Sequence, residues 1–247
     1  MQETIQNKKG KSFYFKINDQ PVQSLGSNWI PGHSFVNKMK DSDYTRLLEL
    51  MVEGNQNMVR VWGGGVYEPD FFYKECDRLG LLVWQDFMFS CGQYPANLDW
   101  FRQSVYEEVK FQVRRLLQFC SVAIFVGNNE DYNIAEAYKV DWDKENNSGE
   151  YLNTSFPART LYESIFPRIV KLYSPSIPYH PGSPWGGSKT GDTSEGDIHQ
   201  WNVWHGTQEK YQNWFKLGGR FISEFGMESL PSFDVYQSCI SDKLQLY

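Results

Sequence analysis

The sequence predicts an α/β protein of the (β/α)8 barrel class, and three observations carry that expectation. Short apolar stretches alternate with stretches of helical period from residue 25 onward, the pattern of βαβ units around a parallel sheet. Nearly every apolar stretch ends in a residue type suited to ligand contact. In a barrel such residues gather at the C-terminal strand ends, whereas a doubly wound sheet concentrates them at one switch point. The chain of 247 residues also has the usual length of one such barrel.

Taken in order, residues 1–24 form a lead-in, in which "FYFKINDQPVQ" reads as two short strands turning at Asn18-Asp19. Residues 25–247 form the barrel. Its first strand, within "VQSLGSNW", ends at Asn28 and precedes the helical "DYTRLLELMVEG". "NMVRVWGGG" supplies Arg60 and Trp62 before the helix "DFFYKECDRLG", and Gly63, Gly64 and Gly65 give the backbone room for a sharp turn. "LLVWQDF" ends at Asp86 before a long helix through "WFRQSVYEEVKFQVRRLLQF". "VAIFVGNNE" ends at Asn129 and Glu130. After it come the polar, turn-rich loop 139–160, expected over the barrel mouth, and the helix "LYESIFPRIVKLY". "IPYHPGS" ends at His180 and "GDIHQW" at His199. A helix through "TQEKYQNWFKL" leads to "RFISEFGME" with Glu224. Seven strands follow the hairpin and no eighth is evident, so the barrel is expected to be incomplete.

Composition excludes several function classes. The formal net charge is −6 and no long basic block is present, which argues against a nucleic-acid partner. Aromatic residues make up 17% of the chain, with 9 Trp and 15 Tyr, more than a core of this size needs, so some are expected to line a cleft. Four cysteines without a CxxC pair disfavour a zinc ribbon or redox motif. Free, mostly buried thiols are expected, though spacing leaves a disulfide open. No apolar signal region and no run of roughly 20 apolar residues is found, so no membrane partner is expected and the chain as given reads as cytoplasmic. His199 and His205 lack HxxxH spacing and acidic companions, so neither metal nor cofactor is expected. Oligomeric state is not readable from these features.

The stretch "FVGNNED" ends an apolar run in two amides and two carboxylates, groups that need partners when buried. Its Glu130 has a counterpart in Glu224, far away in the chain, which also ends an apolar strand. One such residue fits an ordinary salt bridge or helix cap. Two, projecting from separate strands into one mouth, suit glycoside hydrolysis, in which one carboxyl protonates the leaving oxygen and the other stabilises or attacks the anomeric carbon. That chemistry needs unlike environments, one carboxyl kept protonated by desolvation or a like charge and the other held ionised by a donor such as Arg60.

The motifs "RVWGGGVYEPDFFYKECDRLGLLVWQDFMFSCGQYP", "GNNE", "HQWNVWHG" and "GRFISEFGMES" resemble the β-mannosidases of glycoside hydrolase family 2, from about Phe13 to Phe233. The resemblance implies a retaining exo-acting enzyme that removes terminal non-reducing β-D-mannose from oligosaccharides or glycoproteins without a cofactor. Glu130 would be the acid/base, Glu224 the nucleophile, and Asn129 a contact to the sugar 2-hydroxyl. Arg60 would hold Glu224 and Trp62 would wall the sugar subsite, the alternative being an interior ion pair with a packed indole. His199 would orient a hydroxyl or a carboxyl, Trp201 and Trp204 would offer a stacking platform, and Asn28 would complete the substrate-binding set. Asp86 is read equally as a sugar contact or as the structural partner of an arginine. Family members are several times longer, which implies truncation at both ends, and Gly32-His33 stands where the family usually has a small residue and Asp. Two alternatives remain open: an inactive fragment with at most weak sugar binding, or a retaining β-galactosidase or β-glucuronidase type on the same barrel.

Overall fold

The computed structural model describes residues 10–140, 142–143, 145–186 and 189–240. A lead-in hairpin, β1 (Phe15–Ile17) and β2 (Gln20–Val22), turns at Asn18 and Asp19, both with positive φ. There follow β3 (Gly26–Trp29), α1 (Asp41–Glu53), β4 (Met58–Val61), α2 (Asp70–Leu79), β5 (Leu82–Asp86), α3 (Asp99–Leu116) and β6 (Val122–Val126). The chain continues through α4 (Asp131–Ala137), a π-helical stretch (Thr160–Ile165) running into α5 (Phe166–Tyr173), β7 (Tyr179–His180) and β8 (Trp185–Gly186). It closes with β9 (Gly196–Gln200), β10 (Ile222–Phe225) and α6 (Phe233–Cys239).

The fold is α/β with a parallel sheet. Strands β3 to β7 pair in sequence order, all parallel. A second sheet has the order β10-β9-β8, with β9 and β10 parallel and β8 antiparallel. Among the described residues no ladder joins the two sheets.

Alternation along the strands decides what each face receives. Every residue of β4 is buried, as expected for parallel strands covered on both sides. Val59, Val61, Val83 and Phe125 face the helices, where Leu48, Phe72, Val109, Leu116 and Phe166 complete the larger core. Met58, Trp84, Ile124 and Val126 form a second cluster with Phe13 and Phe15 of the lead-in, against which Phe221 packs. Arg60 and Asp86 share the parity of Met58 and Trp84, so the same alternation that builds the core sends two charges to its inner side.

All seven strands read from the sequence after the hairpin are present, and the lead-in hairpin agrees with its expectation. Several elements differ. The expected helix through "TQEKYQNWFKL" is only a 3-10 segment, Tyr211–Lys216, with no buried residue: Trp214 meets Phe225 edge-on, but Phe215 is 81% exposed, so no apolar face is buried to stabilise a longer helix. Helix α4 and strand β8 were not expected, being too short to show a period. All four cysteines are free, but only Cys76 is buried; Cys91, Cys120 and Cys239 are exposed, which corrects the expectation of buried thiols. The described part of loop 139–160 does not line the main cavity. Instead Trp142 and Phe156 pack around Tyr132, and Arg159 is tied to Glu163 and to the carbonyls of Asp143 and Asn146. Among the described residues, no helix is long and apolar enough to cross a membrane.

Candidate active site

Arg60 organises the site. Buried on β4, it donates from Nη1 to Glu224 Oε1 at 2.5 Å and Asn28 Oδ1 at 2.8 Å, and from Nη2 to Asp86 Oδ2 and Asn129 Oδ1, both at 2.8 Å. Burial works against its charge, but Asp86 and Glu224 outweigh burial and hold the guanidinium firmly protonated. A planar fork of five donors satisfies four side chains from four strands or strand ends, which a lysine cannot do.

Asp86 lies beneath the site. Its oxygens accept from Arg60, from Trp84 Nε1 at 2.8 Å and from the Gly63 N–H at 3.0 Å, and it is fully buried. Burial pushes its pKa up to about 6, so it is still ionised at neutral pH. Of the two roles read for it, the structure gives the structural one, and it does not line the cavity. The Gly63 contact depends on glycine: a Cβ there would lie 2.6 Å from the Phe89 carbonyl oxygen.

Glu130 is delivered by an irregular continuation of β6. Asn129 bridges Ser90 on one side and Ser183 on the other, and Glu130 takes a left-handed φ of 63° while its N–H donates to the Ser183 carbonyl at 2.7 Å. A left-handed non-glycine residue is uncommon and is held by surrounding structure. Asn128 supplies it, accepting from the Asp131 N–H at 3.1 Å and donating to the Pro181 carbonyl at 3.1 Å. Behind them Asp131 accepts from Tyr162 and from the Gly92 N–H, with its pKa pushed up to about 7 by burial. Each polar group of "GNNED" thus has a partner, and the backbone kink turns Glu130 toward the cavity.

The carboxylates of Glu130 and Glu224 meet at one imidazole. His199 Nδ1 lies 2.7 Å from Glu130 Oε1 and 3.4 Å from Glu224 Oε2. Glu224 Oε2 also accepts from Trp201 Nε1 at 3.1 Å. The two environments differ in their partners: Glu224 has the guanidinium and the indole, whereas Glu130 has the imidazole and the thiol of Cys91 at 3.4 Å. Burial pushes the Glu130 carboxyl up, but His199, Cys91 and Arg60 together outweigh it and leave its pKa lowered. Glu130, His199 and Glu224 each present a donor atom within 4.8 Å of the others, a spacing a metal ion can use. Their bonds to each other, to Arg60 and to Trp201 already account for that proximity.

These groups open on a cavity of about 1140 Å³, lined by Asn28, Arg60, Trp62, Asn129, Trp201 and the two glutamates, among others. That volume exceeds what one sugar ring needs. Trp204 does not belong to it: it is 46% exposed and lies outside the lining, because the turn after Trp201 carries it away from β9. Trp185 packs edge-on to Tyr132 with centroids 4.6 Å apart and is likewise outside. Sequence reasoning missed Cys91, Ser183, Asp197 and Ser223. Asp197 had a readable signal, since "DIH" puts it two positions from His199 and so on the same strand face; Cys91 had none.

No protein-family model matches the chain. It is 53% identical to β-mannosidase B of Aspergillus clavatus over 229 residues, covering 91% of this chain and 27% of that protein. With β-mannosidase B of Aspergillus oryzae the identity is 49% over 243 residues, 98% of this chain and 29% of the relative. The chain thus spans under a third of the length of the curated relatives it matches. Among solved structures, the β-D-mannosidase from Dictyoglomus thermophilum superposes with a TM-score of 0.85 at 38% identity over 98% of this chain and 28% of that one. The exo-β-D-glucosaminidase CsxA shares the fold at a TM-score of 0.59 and 16% identity.

Proposed function

Because this chain is homologous over nearly its whole length to a segment of the β-mannosidase B proteins, we propose that it carries the catalytic centre of a retaining exo-β-mannosidase of the glycoside hydrolase family 2 type. Its substrate is a terminal, non-reducing β-D-mannose of an oligosaccharide or glycoprotein glycan. On this reading residues 1–24 are a lead-in and residues 25–247 contribute the strands of a (β/α)8 barrel. The observation that carries it is the meeting of Glu130 and Glu224 on one cavity wall, with carboxylate oxygens within 4.8 Å. Such closeness suits direct attack by one carboxylate better than a water held between two, which needs a gap of about 6.5–9.5 Å.

Glu224, held by Arg60, attacks the anomeric carbon, and the glycosidic oxygen leaves with a proton from Glu130. Water, deprotonated by Glu130, then releases mannose from Glu224 and restores both groups. On this reading Trp201 and Trp62, which line the cavity, wall the sugar subsite, and Asn129, held by Arg60, contacts the 2-hydroxyl. The purified chain is expected to release 4-nitrophenol from the β-mannoside but not from the β-galactoside or β-glucuronide. Glu130→Gln is expected to slow poor leaving groups most, and Glu224→Ala to abolish turnover on all of them. The reverse sugar preference, or a folded wild-type chain without turnover, overturns the reading for this chain.

A further inference from the structure

Resting on the assignment of Glu130 as the acid, we propose that Asp197, acting through Ser183 and Ser223, keeps a proton on Nε2 of His199 and thereby leaves Nδ1 to share a single proton with Glu130. Asp197 is then a positioning residue for the acid and touches no substrate. It is fully buried on β9, and although burial pushes its carboxyl up, the bond from His180 leads the opposing causes, that from Ser183 among them, and it is held well below the usual carboxylate range. As an anion it can only accept. Its Oδ2 receives the hydroxyls of Ser183 at 2.6 Å and Ser223 at 2.5 Å, while its Oδ1 receives the Trp185 N–H and faces His180 Nε2, both at 2.9 Å.

The consequence follows from counting hydrogens. Ser183 has one, and the short bond to an anion takes it in preference to the 3.2 Å contact with Ser223. Toward His199 Nε2, 3.0 Å away, Ser183 Oγ therefore offers only a lone pair, so Nε2 must carry the proton. Nδ1 then lies 2.7 Å from Glu130 Oε1 with one proton for the pair. When Glu130 passes a proton to the glycosidic oxygen it becomes the carboxylate, and the proton taken later from water returns to the same pair. With the opposite tautomer, an Nδ1–H would donate permanently to Glu130 and keep it ionised, a base with nothing to give. The other charged or titratable groups around His199 are Glu224, 3.4 Å from Nδ1, Arg60 on the far side of Glu224, His180 behind Asp197, and Cys91 against Glu130.

Asp197→Asn reverses the polarity of the chain of bonds. Its carbonyl is retained by the Trp185 N–H, so its amide donates to both serines, and the Ser183 hydrogen turns toward His199 Nε2. Imidazole nitrogen NMR, simplified by the presence of only four histidines and assigned with His199→Gln, is expected to show Nε2–H in the wild type and Nδ1–H in Asp197→Asn. The kcat/KM of an alkyl β-mannoside, which needs acid assistance, is expected to fall roughly 10²-fold, the size of a lost general acid. That of the 2,4-dinitrophenyl β-mannoside is expected to change by less than about threefold, since its leaving group departs without a proton. The alkaline limb of the alkyl-mannoside profile is expected to move to lower pH, because Nδ1–H is then a fixed donor to the Glu130 carboxylate, whereas in the wild type the proton between them can sit on either atom. Ser183→Ala, which spares three of the four Asp197 bonds, is expected to show the same split more weakly, and decides the matter if Asp197→Asn does not fold. An Nδ1–H tautomer in the wild type, an unchanged tautomer in Asp197→Asn, or equal losses on both substrates overturns the proposal. A wild type that shows the Nε2–H tautomer and its reversal, yet hydrolyses no β-mannoside, supports the positioning role while removing the functional assignment.

Discussion

The sheet of β3 to β7 and the smaller sheet of β8 to β10 hold the two cavity glutamates, Glu130 and Glu224, in different ways. Glu130 grows from a strand whose neighbours pair on both sides and whose side chains are nearly all buried. Glu224 sits on β10, where Ile222 and Ser223 are only half-buried and Phe225 is 59% exposed. No ladder connects the sheets among the described residues. Beside the ring contacts of Phe221 with Trp84 and of Trp185 with Tyr132, the gap is spanned by side-chain bonds: Arg60 to Glu224, Asn28 Nδ2 to the Ser223 carbonyl, His180 to Asp197, and His199 to Glu130. A packed strand carries one carboxylate, and mostly polar contacts set the other relative to it.

The largest test of that contrast is Arg60→Met. It leaves Asp86 and Glu224 buried without a counter-charge, a change expected to cost about 3–5 kcal/mol in a denaturant melt and to abolish turnover. Arg60→Lys is expected to recover part of the stability and little of the activity, because a single ammonium cannot serve Glu224, Asn28, Asp86 and Asn129 together. A stable Arg60→Met protein would show that packing suffices in both regions.

Phe221→Ala sharpens the comparison. Phe221 stacks on Trp84 with centroids 5.5 Å apart and meets Phe13 at 5.4 Å, one of the few apolar ties between the lead-in, the larger sheet and the run into β10. Its loss is expected to cost about 2–4 kcal/mol. Phe72→Ala, in the helix-covered core, is expected to cost at least as much. Measured well below both melting transitions, Phe221→Ala is expected to lower kcat/KM more than Phe72→Ala does. An equal effect on activity would mean that the two regions are equally rigid.

The smallest effects separate two neighbouring indoles. Trp201→Phe removes the donor to Glu224 Oε2 and is expected to cost roughly 1.5–3 kcal/mol in transition-state stabilisation, the worth of a bond to a charged group. Trp204→Ala is expected to change stability by less than about 0.5 kcal/mol and leave kcat/KM unaltered. A comparable loss from Trp204→Ala would return that residue to the cavity.

Much of this arrangement was legible in the residues. Strands such as "MVRV" and "LVWQD" announce themselves because a parallel strand buried on both faces needs continuous apolar or β-branched content, and the polar residue at each tip is conspicuous against it. Less legible were elements without a period, such as α4, and the 3-10 segment whose apolar residues imitate a helix. Asp86 and Trp204 show where residue type leaves a role open. A carboxylate at a strand end is equally apt for a ligand or an arginine, and an indole near the site is equally apt to turn away.

The sequence by itself determined the parallel α/β pattern and the two glutamates, because periodicity and chemical type are local properties of the chain. Only the tertiary structure decided that Arg60 would be shared among four partners and that His199 would stand between Glu130 and Glu224. It alone also put Asp197 and two serines behind that imidazole. Those relations depend on distances of a few ångströms between strands far apart in the chain, and hydrogen-bond direction at that scale is set by packing, which no local pattern records.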